Sequence, residues 1–414
     1  MKLKDLKNST ASELIEAFGT GTSASQNADA LAVLGLPNKK QEEYRYADIE
    51  TILNLELTKS RQQRPAEILP AVQLVITDGV VTHAPADIKL GFSQSIPCDK
   101  RHFDPLYHLG HVASQGVWEI ELSGEVNLHI IHRFTQPAAL IPYRIAVHVT
   151  PNSQASVYEQ FVDAGAAESL VLYGYDLFVS RDATLKMVKN QTLHTGSYHA
   201  VASHRCEVGT NATLDIATFD FGSASALQLM QIALGERAHV EASHLLYASG
   251  AAKRGTVSKI LHIGEGSTSN QQAKSILGDS ARGIFDALIK VEHSAKYTKA
   301  HQNSKAILLE TGAYMASKPQ LEIYIDELEA SHGSTTGQLD GKQLFYLQSR
   351  GISVVEAKRM LIQAFANELI DAVNGEMIRE ILHRDFDEAF YGQTRVECIE
   401  TCHGCEEAVL NEGV

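Results

Sequence analysis

The sequence predicts a mostly β protein, a parallel β-helix flanked by helical regions at its N and C termini. Helix signals fill residues 1 to about 60, strand-like alternation runs from about 70 to 328, and helix signals return after 339. A short motif also recurs inside the strand region. Ala-x-(Val/Leu) stands at Ala155–Val157, Ala183–Leu185, Ala212–Leu214 and Ala238–Val240, and Gly266–Thr268 and Ala295–Tyr297 continue the spacing with weaker matches. The steps are 28, 29, 26, 28 and 29 residues, each after polar or turn-forming residues such as "SRD" or "VGTN". A period in the twenties with strand content marks a solenoid, where each coil buries its apolar face on the next. Alanine suits corners where successive coils crowd. The competing arrangement is an antiparallel sandwich with regularly spaced turns.

The elements follow in order. "TASELIEAFGTG" offers Thr10 or Ser12 as a helix cap and Gly19 and Gly21 as a stop. Pro37 breaks the helical stretch that follows. "AVQLVITDGVVTHA" and "GVWEIELSGEVNLHIIHRF" open the strand region, and no long helical pattern interrupts it. After it, Asp340 with Gln343 caps "GKQLFYLQSR", and Gly351 ends that helix. Ser353 with Glu356 is a capping box opening a helix from Val354 to about Val373. Its polar stripe is narrow: Glu356, Arg359, Gln363, Asn367 and Asp371. A helix apolar around most of its girth needs cover on several sides, from a local bundle or from a partner. The boundaries read as 1–95 mainly helical, 96–338 β-helix core, 339–392 helical, and 393–414 an acidic cysteine-containing tail.

Composition excludes several functions. The chain has 414 residues, 36 Lys and Arg against 50 Asp and Glu, and a formal charge of −14. Such a chain is not built to neutralise phosphates, so nucleic acid is not an expected partner. No apolar run reaches signal-peptide or membrane-span length, so the expected location is the cytoplasm, off the membrane. Five cysteines in so long a chain argue against a disulfide framework.

The chemical motifs are few. No phosphate-binding G-x-x-x-x-G-K-(S/T) loop exists, and "GEGSTSN" lacks a dinucleotide fingerprint. No G-x-S-x-G elbow appears. A carbohydrate-active β-helix enzyme needs clustered acids, and Asp215, Asp220 and Lys189 show no matched spacing. His194, His199 and His204 recur every five residues, which alternates faces on a strand and disfavours one shared metal. Cys398, Cys402 and Cys405 form C-x3-C-x2-C with His403 between them. Zinc, an iron–sulfur cluster or inert thiols are all open there. A cytosolic metal-binding or sensor protein built on these cysteines is the alternative function. His332, in "EASHGSTTGQLD", reads as a histidine near a strand end, with general base, ligand and structural residue all open.

Longer stretches go beyond pattern. "ARGIF" (281–285), "AHQNSKAILL" (300–309), "KPQLEIYIDELEASHGSTTGQLD" (318–340), "LFYLQSRGI" (344–352) and "EAKRMLIQAFANELID" (356–371) resemble the SufB/SufD family of iron–sulfur cluster assembly scaffolds. "LPNKKQEEYRYAD" (36–48) is similar to that family's P-x-x-K-x-E-x-W-K-Y motif, with Tyr44 where tryptophan is usual, and favours the D-type subunit. The resemblance implies a right-handed parallel β-helix. It implies a non-catalytic scaffold subunit paired with the B-type paralogue SufB and with the ABC-type ATPase SufC. A homodimer is open for the isolated chain. Residues 339–392 become the ATPase-docking region, with Phe365, Leu369 and Ile370 as partner-binding candidates. His332 becomes a ligand of a transient iron–sulfur cluster shared across the B–D interface. The usual cysteine two residues earlier is Ala330 here. A reduced flavin is associated with such complexes, and no residue of the sequence locates it.

Overall fold

The computed structural model describes residues 1–392 except 21–23, 63, 64, 66, 193–197 and 223. A parallel β-solenoid of about seven turns spans 117–337, with helices at both ends of the chain. Strands alternate between two sheets. One face holds Val117–Leu122, Ala139–Val149, Leu170–Val179, His199–Val208, Ala226–Leu234, Lys253–His262, Arg282–Val291 and Tyr314–Ile323. The other holds Glu125–Phe134, Gln154–Asp163, Thr184–Thr192, Thr213–Phe221, His239–Ala248, Thr268–Leu277, Thr298–Leu308 and Leu328–Gly337. They are called the first and second face below.

The corner alanines predicted from the repeat are partly right. Ala183, Ala212 and Ala238 stack in register and are buried. Ser267 and Thr298 continue the column. Ala155 instead pairs with Leu185, two positions along the strand, and Ala295 lies three residues before Thr298. The constraint is a backbone one. Asp182, Asn211, Arg237, Gly266 and Tyr297, each just before its corner residue, all have φ between 52° and 67°. That left-handed residue turns the chain, and the residue after it faces inward where only a small side chain fits.

The N-terminal helices α1 (Ala11–Phe18), α2 (Ser25–Leu34) and α3 (Ile49–Asn54) cover the outer surface of the first face together with α4 (Pro105–Ala113). Thr10 and Glu13 form a capping box on α1, and Gly19 ends it at φ 68°. The sequence pattern gave no sign of α4, because all nine of its residues are buried and so short a buried segment is not told from a strand by periodicity. Asp104 caps it, accepting from the Leu106 and Tyr107 amides at 2.7 and 3.1 Å. The same carboxylate also accepts from the Tyr44 and Ser203 hydroxyls. Tyr44 therefore ties the 36–48 segment to α4 and the solenoid through an oxygen that an indole does not possess. Glu43 and Asp48 bind Lys259 and Lys253, each at 2.8 to 2.9 Å, and Glu42 binds Lys318 on the last strand of the first face.

The C-terminal helices are α5 (Gly341–Ser349), α6 (Val354–Ile370) and α7 (Glu376–Tyr391). Asp340 caps α5 and Ser353 caps α6, as the sequence predicts. Ile362, Ala366, Leu369 and Ile370 of α6 and Leu382 and Phe386 of α7 pack on Phe219, Phe221, Leu245 and Ile276 of the second face. The over-apolar helix is thus covered on one side by the solenoid itself.

Beneath α4 lies a buried ion pair. Arg144 Nη2 is 2.7 Å from Asp176 Oδ2, with both side chains fully enclosed. Burial alone would raise the Asp176 pKa, but Arg144, His111 and the Tyr107 hydroxyl outweigh it and hold the carboxyl well below its usual range. Its stabilising effect is full above the ordinary aspartate pKa and fades as pH falls. We expect Arg144→Ala to cost about 3–5 kcal/mol, because it strands a buried carboxylate. Arg144→Met with Asp176→Leu should recover part of that loss. Urea midpoints of the three proteins measure both effects, and an unchanged midpoint in the single variant would remove this assignment.

Candidate site at the open end of the solenoid

His332 is the fifth residue of the last strand, Leu328–Gly337, and not a joint between strand and helix. The segment hides from pattern reading because it is an outermost strand. Its residues are exposed or half-buried throughout, so "EASHGSTTG" needs no apolar alternation.

Two features of the geometry stand out. First, the solenoid is capped at one end and open at the other. At the start, Leu74–Thr77 and Val80–Ala84 form an antiparallel pair joined to the second face, and Lys89–Ser93 pairs antiparallel with Val117–Leu122. At the finish, Tyr314–Ile323 and Leu328–Gly337 each have a neighbour on one side, and among the described residues nothing pairs with their other edges. Second, the interior changes character towards that end. His332 shares a row with Leu128, Val157, Met187, Ile216, Ala242, Gln271 and Gln302. Five apolar residues give way to two amides and an imidazole.

The polar groups inside are hydrogen-bonded from coil to coil. Gln302 Nε2 reaches Gln271 Oε1 at 3.2 Å and the Ala287 carbonyl at 3.1 Å. Gln271 donates to Ser258 at 2.7 Å. Ser334, Ser317 and Ser304 form a chain with steps of 2.8 and 2.9 Å. Gln302 Oε1 is buried with no partner among the described residues. An acceptor enclosed beside His332 and left open is a place for a donor.

Deeper inside, Arg254 binds Asp220 and Lys189 donates to Gln228 at 3.1 Å. Burial pushes the Lys189 amine down to about 8. Asp215 lies on the outer surface instead, paired in register with Lys186 and Glu241, so the three candidates for carbohydrate chemistry do not meet. His199 points outward and His204 inward, in line with the alternation expected; His194 lies outside the described residues.

Beside the last strands, a cleft of about 450 Å³ runs between α6 and the second face. His301, Asn303, Lys305, His332 and Glu368 line it. Lys274 binds the Glu368 carboxylate and donates to the Phe365 carbonyl at 2.8 Å. Phe365 is half-buried over the Lys274 amine, while Leu369 and Ile370 are 5 % and 0 % exposed against the solenoid. Those two side chains are occupied within the chain. Other apolar residues of this region are more than half exposed, among them Phe345 and Tyr346 on α5 and Val354 and Val355 at the start of α6. Sequence reasoning did not single them out as contact residues, although the adjacent aromatics Phe345 and Tyr346 were an available signal. Cys398, Cys402 and Cys405 lie outside the described residues. Among the described residues no three His, Cys, Asp or Glu side chains gather to hold a metal, and no helix is long and apolar enough to cross a membrane.

Residues 132–365 match the family described as the SUF system FeS cluster assembly, SufBD core domain. The chain belongs to the SufBD family. It is similar to the iron–sulfur cluster assembly protein SufD of Escherichia coli, 29 % identical over 89 % of this chain and 93 % of that protein. It is 25 % identical to a SufBD family protein of Synechocystis, over 84 % of this chain and 86 % of that one. A Bacillus subtilis SufD is 29 % identical over 36 % of this chain and 34 % of its own length. The chain is thus a SufD-like member of the SUF iron–sulfur cluster assembly system. The SufBD core match covers most of the solenoid, its open end and most of α6.

Buried histidines make this core sensitive to acid. His262 sits between Ser267 and Ser269 at 2.8 and 2.9 Å, and burial pushes it down to about 4. The folded state keeps it neutral, while the unfolded chain protonates it near pH 6.5. Between those values the unfolded state binds more protons, so stability falls as pH falls, by at most about 1.4 kcal/mol per unit for one such group. We expect His262→Asn to shrink the stability loss between pH 6.5 and 5 by about 2 kcal/mol. Urea titrations at the two pH values measure it; equal losses in both proteins would contradict the assignment.

Proposed function

We propose that this chain is a D-type scaffold subunit that pairs through its open solenoid end with a B-type paralogue. His332 then serves as a ligand for the nascent iron–sulfur cluster at that contact. The observation that carries the reading is the position of His332 on an exposed last strand whose outer edge has no neighbour among the described residues. Two ten-residue edges with free backbone groups invite another chain's strands, and proteins that leave edges open without a partner risk aggregation. A site at such an edge is half a site until the partner arrives. A neutral imidazole is a fit ligand for iron, and one weak ligand releases its cluster readily.

An ABC-type ATPase is the second partner. The surface that suits it is the exposed set of Phe345, Tyr346, Val354 and Val355. Large apolar side chains exposed on neighbouring helices are the usual anchors of an interface. This moves the docking residues from Leu369 and Ile370, which the solenoid covers, to α5 and the start of α6. The chain itself supplies no nucleotide-binding loop, so ATP is hydrolysed by the partner, and the scaffold's part is to hold the cluster and pass it on.

Native mass spectrometry of the complex purified anaerobically tests the assembly. We expect one B-type and two ATPase subunits with this chain. Val355→Glu should cost the docking contact about 2 kcal/mol, roughly 30-fold in affinity, and leave the B-type subunit bound. Full ATPase retention in that variant would move the docking surface elsewhere.

We expect His332→Ala to assemble normally and to form cluster more slowly under the same iron and sulfide supply. Undiminished cluster formation in an intact complex would end the ligand role.

A further inference from the structure

Gln302 stands one strand below His332, in register with it and on the same side of the second face. Neighbouring strands lie about 4.8 Å apart, so the two side chains are within reach of each other. Both line the cleft at the open end. They differ in freedom. Gln302 is 3 % exposed, whereas His332 is exposed and its ring makes no hydrogen bond among the described residues.

The Gln302 amide has one orientation open to it. Its Nε2 donates to Gln271 Oε1 and to the Ala287 carbonyl, 3.2 and 3.1 Å away. Gln271 is held in turn by its bond to the Ser258 hydroxyl. Turning the Gln302 amide over would set its oxygen against two other oxygens. Oε1 is therefore fixed, enclosed and without a partner among the described residues. A buried acceptor left without a donor is costly, and turning an exposed side chain from one staggered rotamer to another costs less. The ring of His332 can bring it a donor. Nδ1 is the ring nitrogen nearest the main chain, and so the one nearest the strand below.

We propose that Gln302 is a positioning residue for His332: its Oε1 accepts from His332 Nδ1–H, which leaves the Nε2 lone pair free at the end of the solenoid. The inference rests on the ligand role proposed for His332, because iron is bound through an unprotonated ring nitrogen. An imidazole in water carries its proton mainly on Nε2. The bond to Gln302 reverses that preference before any cargo arrives, as remote hydrogen bonds commonly do for histidine ligands. The row of amides then has a task. Ser258 orients Gln271, Gln271 orients Gln302, and Gln302 orients the ring at the edge.

The test begins on the free chain without iron. Nitrogen NMR of histidine side chains at alkaline pH, where imidazoles are neutral, reads which ring nitrogen carries the proton. The His332 signals are those lost in His332→Ala. The parent is expected to show Nδ1–H, and a parent with the proton mainly on Nε2 overturns the proposal. Gln302→Met keeps the volume and removes the acceptor, so it should return His332 to mainly Nε2–H. Gln302→Glu keeps an oxygen acceptor there and should retain Nδ1–H. An unmoved tautomer in Gln302→Met also overturns the proposal. In the assembled complex, Gln302→Met should slow cluster formation about tenfold and add nothing to His332→Ala. Further slowing in the double variant marks a merely structural role and overturns the positioning. If His332→Ala alone has no effect, the ligand role fails, whereas the NMR measurement still decides the bond.

Discussion

A solenoid is stable because every coil is both lid and floor to its neighbours, so the two terminal coils are where the chain must make other arrangements. Here the arrangements differ. The first coil is closed by antiparallel strands. The last coil offers two edges of ten residues and a polar interior. That asymmetry organises the rest of the molecule. The N-terminal segment reaches across the first face to bind Lys318 on the final strand, and the C-terminal helices lie on the second face close to the same end.

The polar interior follows from the same constraint. An apolar row ending at an exposed edge would leave a sticky patch wherever the partner is absent. Replacing it with Gln271, Gln302 and His332 keeps the free chain wettable at its end, at the cost of hydrogen bonds that must be met inside. Coil-to-coil bonding meets nearly all of them, and Gln302 Oε1 is the exception beside His332. Further in, ionisable groups are tolerated because each has a partner. Arg254 has Asp220 inside the solenoid, and Arg144 has Asp176 on the outer side of the first face beneath α4.

The fold was largely legible because its repeat is a backbone repeat. A left-handed residue followed by a small buried one recurs every coil, and side chains such as Ala183, Ala212 and Ala238 record it. The register slipped at Ala155 and Ala295, where Ser153 and Thr298 do the same steric work without looking alike. α4 was missed because a fully buried segment of nine residues is not told from a buried strand by periodicity. The last strand was invisible for the opposite reason, since exposure on both sides removes the need for apolar residues. The candidate site was legible in part. His332 emerged from resemblance and not from chemistry, while its row with Gln271 and Gln302 depends on strand register that no local pattern encodes. The choice of Leu369 and Ile370 as contact residues did not allow for the solenoid face, a surface formed by residues more than ninety positions away.

The placement of α5 gives the two ends of the proposed mechanism a short mechanical path. His332 sits on a strand that ends at Gly337, and α5 begins at Gly341. A link so short cannot absorb much displacement, because each residue spans at most about 3.6 Å. α6 is held differently, with its apolar side packed on the second face and Lys274 clamped by Glu368. A partner that grips α5 and the exposed start of α6 and changes shape on hydrolysis therefore acts against one anchored helix and one helix tethered to the edge strand. The softer element yields first. The edge strand carries hydrogen bonds to a single neighbour, so the work of shifting it is small compared with that of moving α6. On the proposed reading, force applied at Phe345 on α5 is delivered to the strand that bears His332 through the short 338–340 link.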